Sequence, residues 1–170
     1  AWPVAGEAPA GVERAGTPEA ADFALTLTPE GGALHLVPPI GVLGVGCRRG
    51  TTAERLEEAF SAFCASSGLS PAAVSAAASI DLKREEPGLA QFCEAHGWPI
   101  TFYSADQLRA VPGQFTPSAF VAGVTGVDNV CERAAAKASG GALLLPKTAG
   151  GGVTLALAVR PFAPDWRTEQ

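Results

Sequence analysis

A chain of 170 residues and 17.2 kDa can bury about 70% of its unfolded surface, so one core with short appendages is expected. At 47% hydrophobic and 17% charged residues it is too apolar for disorder, and no apolar run nears the ~20 residues of a bilayer span. Twelve Lys and Arg against 17 Asp and Glu leave a net charge of -5, which excludes a general nucleic-acid binder and requires that any anionic ligand be met by a local basic site.

Residues 1–22 are rich in Ala, Gly, Pro and Glu without periodicity and read as a linker or a disordered segment. With no Met and no leader, the chain is expected to be cut from something longer, with no export signal in view. FALTLT and ALHLV flank a Pro-Glu-Gly-Gly turn within residues 23–39, the pattern of a β-hairpin. Ile40 to Val45 has strand character, and a helix starts near Thr52, with Thr51 and Glu54 at capping-box spacing. Ala53, Leu56, Ala59, Phe60, Phe63 and Cys64 form its apolar stripe, and Gly68 ends it.

Ser70-Pro71 opens a short helical turn, Ala76 to Ile80 reads as a buried strand, and Pro87-Gly88 begins a helix with Leu89, Phe92 and Cys93 inward. Trp98 to Tyr103 is β-rich, Ser104 and Gln107 form a second capping box, and Thr116-Pro117 caps a helical turn before Gly123. Asp128 to Ser139 is the last helix. Ala142 to Leu145 and Val153 to Val159 are strands joined by a glycine-rich connection too short for a parallel crossover. The expected fold is a single three-layer α/β domain over residues 40–160. Its central sheet is mixed and mainly parallel, a β-hairpin precedes it, an antiparallel hairpin ends it, and 161–170 form a tail.

Three polar segments follow three predicted strands: GCRRGTT, DLKREEP and PKTAGGG. Loops after parallel strands gather at one sheet edge, so residues 46–51, 81–86 and 146–151 are expected to form one site. Arg48, Arg49, Lys83 and Lys147 would make it a positive crevice for an anion. In the first loop, Gly44, Gly46 and Gly50 would let the backbone approach a ligand, and Thr51 stands by a helix N-terminus with free N–H groups. The same residues also fit a tight turn with two solvated arginines, and they match neither dinucleotide nor nucleoside-triphosphate fingerprints. Cys47 has the surroundings of an activated thiol, but its small glycine neighbours and the lack of a nearby His base favour a packed structural residue.

Asp81 and Lys83 alternate with Ile80 and Leu82, so in an extended segment they would share a side, with Asp81 as a base or an orienting partner. Glu85 and Glu86 read as the start of the next helix. His35 and His96 lie in different elements, and no metal spacing or Ser-His-Asp arrangement is present. The four cysteines are 17, 29 and 38 residues apart without a CxxC pair, which fits a reducing cytoplasm.

GVGCRRGTT, ASIDLKREEPGL and PKTAGGGVTLALA, in this order and with GVDNVCERAAA between the last two, resemble the signatures of the CbiG C-terminal domain family, also found alone as CobE. The likeness runs from about Ile40 to Val159. It implies a part in making the corrin ring of vitamin B12, since full-length CbiG is the cobalt-precorrin-5A hydrolase that opens a ring-attached lactone and releases acetaldehyde. By the resemblance, this chain lacks the N-terminal CbiG domain and other cobalamin-pathway enzymes would be partners. The ligand would be an anionic corrinoid, contacted by Gly46, Cys47, Arg48, Arg49, Gly50, Thr51, Lys83 and Lys147, with Asp81 as the catalytic candidate. Cobalt would arrive inside the substrate, so no cofactor or protein metal ligand is expected. A corrinoid carrier without chemistry is the alternative, and a phosphate or nucleotide binder using the first loop is a third reading.

Overall fold

The computed structural model describes residues 4–17, 20–116 and 129–166. Its centre is β3 (Gly41–Cys47), whose first five residues are buried. A five-stranded sheet forms around it in the order β5 (Ile100–Tyr103), β4 (Val74–Ile80), β3, β7 (Val153–Val159), β6 (Ala142–Gly150). The β3–β4 and β4–β5 pairs are parallel and the β3–β7 and β6–β7 pairs antiparallel. Four of the five strands therefore point the same way and β7 alone runs against them, which is the mixed sheet the alternation predicts.

Helices cover both faces. On one, α1 (Ala53–Ser67) and α2 (Pro87–Ala95) bury Leu56, Phe60, Phe63, Leu89 and Phe92 against Leu43, Val45, Leu155 and Leu157. Phe60 meets Phe92 edge-on at 6.0 Å between ring centroids, a favourable aromatic geometry. On the other, α4 (Val130–Ser139) packs on Val42, Ala76, Ala78 and Ile80, with Leu108 of the short α3 (Ala105–Arg109) beside it. That second layer is built from small residues: a Cβ at Gly44 would overlap the Cys131 carbonyl oxygen, so glycine is what lets α4 lie this close to β3.

The structure revises several local expectations. β1 (Phe23–Leu25) and β2 (Leu34–Leu36) pair, but in parallel, with Phe23 opposite Leu34. The chain does not turn back tightly at Pro-Glu-Gly-Gly. Leu27 is drawn into the core at 4% exposure and its carbonyl accepts the Ser70 N–H, which carries the connection inward before it returns. The helix α1 begins one residue later than the predicted box: Thr52 is its cap, accepting the Arg55 N–H at 3.3 Å, while the Thr51 hydroxyl donates to the Arg48 carbonyl at 2.8 Å. The Ser104–Gln107 capping box forms as expected. The helix predicted over 128–139 starts after its Asn129 cap; the predicted turn at Pro117 to Gly123, and Asp128, lie outside the described residues.

PKTAGGG is also no loop over most of its length. β6 runs on to Gly150, and only Gly151 and Gly152 turn the hairpin, at φ of 56° and 84°. Two successive positive φ angles match the right-handed strand twist in a two-residue hairpin, a requirement that Gly-Gly meets without steric strain. Pro146 and Lys147 fall in a register shift between Leu145 and Thr148, where an edge strand tolerates a residue without an N–H.

Candidate functional site

The carboxyl ends of β3 and β4 lie side by side, and the β6–β7 turn joins them because Cys47 pairs with Val153. The three predicted segments therefore meet along one sheet edge, where α1 and α2 also begin. Backbone bonds tie them together: Arg48 N–H donates to the Gly152 carbonyl at 3.0 Å, and Gly50 N–H donates to Glu86 Oε2 at 2.8 Å. Gly50 holds φ at 74°, which bends the turn into α1.

Arg48 and Arg49 are exposed, and neither forms an ion pair among the described residues. The aliphatic part of Arg48 lies against Gly152, where a Cβ would come within 2.9 Å of its Cδ. Arg55 lies over Gly151 in the same manner and pairs with Glu58 at 2.7 Å. The two turn glycines thus seat two arginines at the end of the hairpin.

The second segment differs from its prediction. Asp81 to Lys83 form a 3-10 turn, not an extended run, so successive side chains rotate by about a third of a circle and Asp81 and Lys83 diverge. Asp81 is exposed and makes no side-chain hydrogen bond or ion pair among the described residues. Lys83 turns inward, and its Nζ donates to Glu86 Oε1 at 3.0 Å, with both side chains mostly buried. Glu86 itself is 8% exposed. The Gly50 N–H chiefly, helped by Lys83 and Arg49, holds its carboxyl below the usual glutamate range against the opposing effect of burial.

In the third segment the Lys147 side chain is half-buried, and its backbone N–H donates to Glu132 Oε1 at 2.6 Å. Glu132 is wholly buried and also accepts the Thr116 N–H and hydroxyl, each at 2.8 Å. Asn129 caps the same helix, accepting the Glu132 N–H and donating to the Thr116 carbonyl. Glu86, Glu132 and Arg55 are the residues that sequence reasoning passed over. The available signals were the Lys83–Glu86 spacing before Pro87, and Asn129 with Glu132 at cap-and-third-residue spacing.

The glycines of the first segment divide by role. Gly44 admits α4, Gly46 faces the Thr154 side chain, and Gly50 alone sits in the turn; the expectation that all three admit a ligand gives way to packing at the first two. Cys47 is half-buried, and burial pushes its thiol above the ordinary value despite the nearby Lys83 ammonium. His96 stacks on Trp98 at 4.1 Å with its Nε2 2.6 Å from Glu57, and His35 contacts the Glu30 carbonyl, so neither is a base for this edge. Among the described residues no group of three or more His, Cys, Asp and Glu side chains is placed to hold a metal, and no helix is long and apolar enough to cross a membrane. The arrangement offers anion recognition: two exposed guanidinium groups on a turn braced by a buried carboxylate.

Residues 41–158 match the family model for the cobalamin synthesis G C-terminus. The chain is 35% identical over 134 residues to the cobalt-precorrin-5A hydrolase of Priestia megaterium and 36% over 124 residues to that of Salmonella typhimurium. Those matches cover 78% and 73% of this chain, which spans about a third, 35%, of each hydrolase. Protein CobE of a Sinorhizobium species is 33% identical, with 69% of this chain and 78% of that protein covered. Among solved structures, CobE from the vitamin B12 biosynthetic pathway superposes with a TM-score of 0.64 at 35% identity, covering 72% of this chain and 92% of CobE. The cobalamin biosynthesis protein chiG of Agrobacterium tumefaciens gives 0.55 at 26% identity, with coverage of 71% and 98%. With its sheet edge, its loops and nearly all of its α/β domain inside the matched span, the chain belongs to the cobalamin synthesis G C-terminus family.

Proposed function

We propose that this chain binds a polycarboxylate corrinoid intermediate of cobalamin biosynthesis at the edge formed by residues 46–51, 81–86 and 146–152. The observation that carries the reading is the exposed Arg48–Arg49 pair, with no ion pair among the described residues, on a turn at the start of α1. Acetate and propionate side chains of a corrinoid present several carboxylates, and a guanidinium holds each by two parallel hydrogen bonds. Thr51 belongs to the turn, Gly46 and Cys47 shape the strand end behind it, and Lys147, tied through its N–H to Glu132 of α4, would add a further cation from the hairpin. Cobalt comes with the substrate, so the chain itself supplies no metal ligand. The four free thiols suit a reducing cytoplasm.

In the longer relatives the same module would orient the macrocycle for lactone opening by the cobalt-precorrin-5A hydrolase as a whole. A catalytic part for this chain rests on Asp81, whose exposed carboxylate lies on the same edge and could activate water. The carrier reading is favoured because no hydrogen-bond donor or cation among the described residues orients the Asp81 side chain, and burial pushes the Cys47 thiol above its ordinary value, which works against a nucleophilic role.

Titration of the purified chain with cobalt-precorrin-5A, followed by the corrinoid absorbance and by acetaldehyde release, tests both. A spectral shift without acetaldehyde supports the carrier; acetaldehyde lost on Asp81→Asn supports the catalytic part; no spectral shift at all overturns the corrinoid site.

A further inference from the structure

We infer that Glu86 is a positioning residue that holds the Arg48–Arg49–Gly50 turn in its anion-receiving shape, and that Lys83 acts through Glu86 and does not touch the ligand. The inference rests on the proposed corrinoid reading of this edge. Three observations carry it. Glu86 reaches from the residue before α2 to the turn before α1 and accepts the Gly50 N–H at 2.8 Å, joining two loops that are 36 residues apart in sequence. Its other oxygen takes the Lys83 ammonium at 3.0 Å, and the two side chains are only 10% and 16% exposed, so that ammonium is committed inside the fold. At Gly88, two residues on, a Cβ would overlap the Thr51 carbonyl oxygen; the first turn of α2 is therefore seated directly under the same loop.

A carboxylate in this place has a second consequence. It occupies the Gly50 N–H, so that donor is unavailable to a ligand, and it neutralises Lys83. The cations offered outward are then Arg48 and Arg49, with Lys147 in the hairpin strand. A ligand carboxylate displacing Glu86 would have to break two charge-assisted hydrogen bonds in a buried position, which favours a permanent brace over a removable plug.

The test uses the whole chain with cobyrinic acid, which keeps its free carboxylates, and amide hydrogen exchange at Gly50. Glu86→Ala should speed Gly50 exchange at least tenfold and weaken cobyrinic acid binding by roughly tenfold, the loss of one charge-assisted hydrogen bond. Glu86→Gln, which keeps an acceptor for Gly50, should retain most of the exchange protection. Lys83→Met should weaken binding in the wild-type background, where it leaves an unpaired Glu86 charge beside the site, and should add nothing in the Glu86→Gln background. Equal losses from Lys83→Met in both backgrounds would mean that Lys83 contacts the ligand and would overturn the inference, as would Gly50 exchange unchanged in Glu86→Ala. Failure of the corrinoid reading is separable: the Arg48→Ala, Arg49→Ala double variant would then bind cobyrinic acid like wild type, while Gly50 exchange still reports on the brace.

Discussion

Two buried glutamates brace the two ends of this edge, and they do it by different chemistry. Glu86 pairs one oxygen with a cation and the other with a single backbone N–H, at 8% exposure. Glu132 is completely buried and its carboxylate accepts from Thr116 N–H, Thr116 Oγ and Lys147 N–H, with no cation among those donors. The first is a locally neutral unit that can let a flexible lysine move when perturbed. The second takes its donors from backbone N–H groups and from a threonine held to the same carboxylate twice, and no mobile cation stands among them. The edge therefore has a soft brace beneath the arginine turn and a hard one beneath the bulged edge strand.

The sharpest way to break this comparison is to remove the hard brace. Glu132→Ala removes a wholly buried carboxylate and leaves the part-buried Thr116 and Lys147 N–H groups without their acceptor, and should cost ~2–4 kcal/mol in urea unfolding. Glu132→Gln should recover only part of this, because its NH2 would face one of three donors. A loss under 1 kcal/mol for either variant would mean that water or a shifted backbone takes over the carboxylate's role. Glu86→Ala should cost less, ~1.5–3 kcal/mol, and Glu86→Gln less again, since the amide oxygen still accepts from Gly50 and Lys83 can swing outward.

Acidity separates the soft brace from simple packing. Because the folded protein holds the Glu86 carboxyl below its ordinary value, its contribution is complete above about pH 5, the upper side of the usual carboxylate titration, and fades as pH falls through the lower, folded value. The stability gap between wild type and Glu86→Gln should thus stay constant from pH 7 to about 5 and shrink on further acidification. A gap that persists unchanged to about pH 3 would contradict the charge-based account.

The same contrast explains what could be read from the chain before its fold was known. Helix α1 was legible because Leu56, Phe60 and Phe63 recur at helical spacing and Gly68 takes the left-handed end, at φ of 68°. Convergence of the three segments on one edge followed from strands with a common direction, which alternation of strand and helix encodes. The parallel β1–β2 pair was not legible, because it depends on Leu27 finding a place in a core made by distant residues. Extension of β6 through Pro146 to Gly150 was hidden for a similar reason: a register shift at an edge strand absorbs the proline, and that tolerance is a tertiary property. Both braces were missed because a glutamate near a helix start looks solvated until its distant acceptor-seeking partner, Gly50 or Lys147, is placed beside it.

Binding variants give the next smaller effects. Arg48→Ala and Arg49→Ala should each weaken cobyrinic acid binding by roughly ten- to a hundredfold where the side chain holds a carboxylate, equivalent to ~1.5–3 kcal/mol. Lysine at the same position should recover less than half of that loss, since an ammonium lacks the two-pronged geometry. Calorimetric titration at two salt concentrations checks this. Unchanged affinity in all four variants would place the ligand elsewhere and leave both braces purely structural.

The smallest expected effect concerns Cys47, and it reads the soft brace from the inside. Burial raises this thiol, Lys83 lowers it and Glu86 raises it, so its alkylation rate reports the balance of that ion pair. The thiolate is the reacting form, and a raised pKa keeps it scarce near pH 7. Wild-type Cys47 should therefore react with iodoacetamide more slowly than a free thiol, and Cys47→Ser should bind cobyrinic acid within about twofold of wild type. Glu86→Gln removes the negative neighbour while leaving the ammonium, which lowers the thiol pKa and should speed alkylation at pH 8. Lys83→Met does the reverse and should slow it. Because Cys64, Cys93 and Cys131 are buried, with thiols pushed up to about 11, mass spectrometry of the first alkylated peptide isolates the Cys47 reaction. Opposite shifts in the two variants would show the pair acting on one group as a charge-balanced unit; shifts of the same sign would mean that both substitutions merely loosen the turn, and the distinction between a soft and a hard brace would fail at this end of the edge.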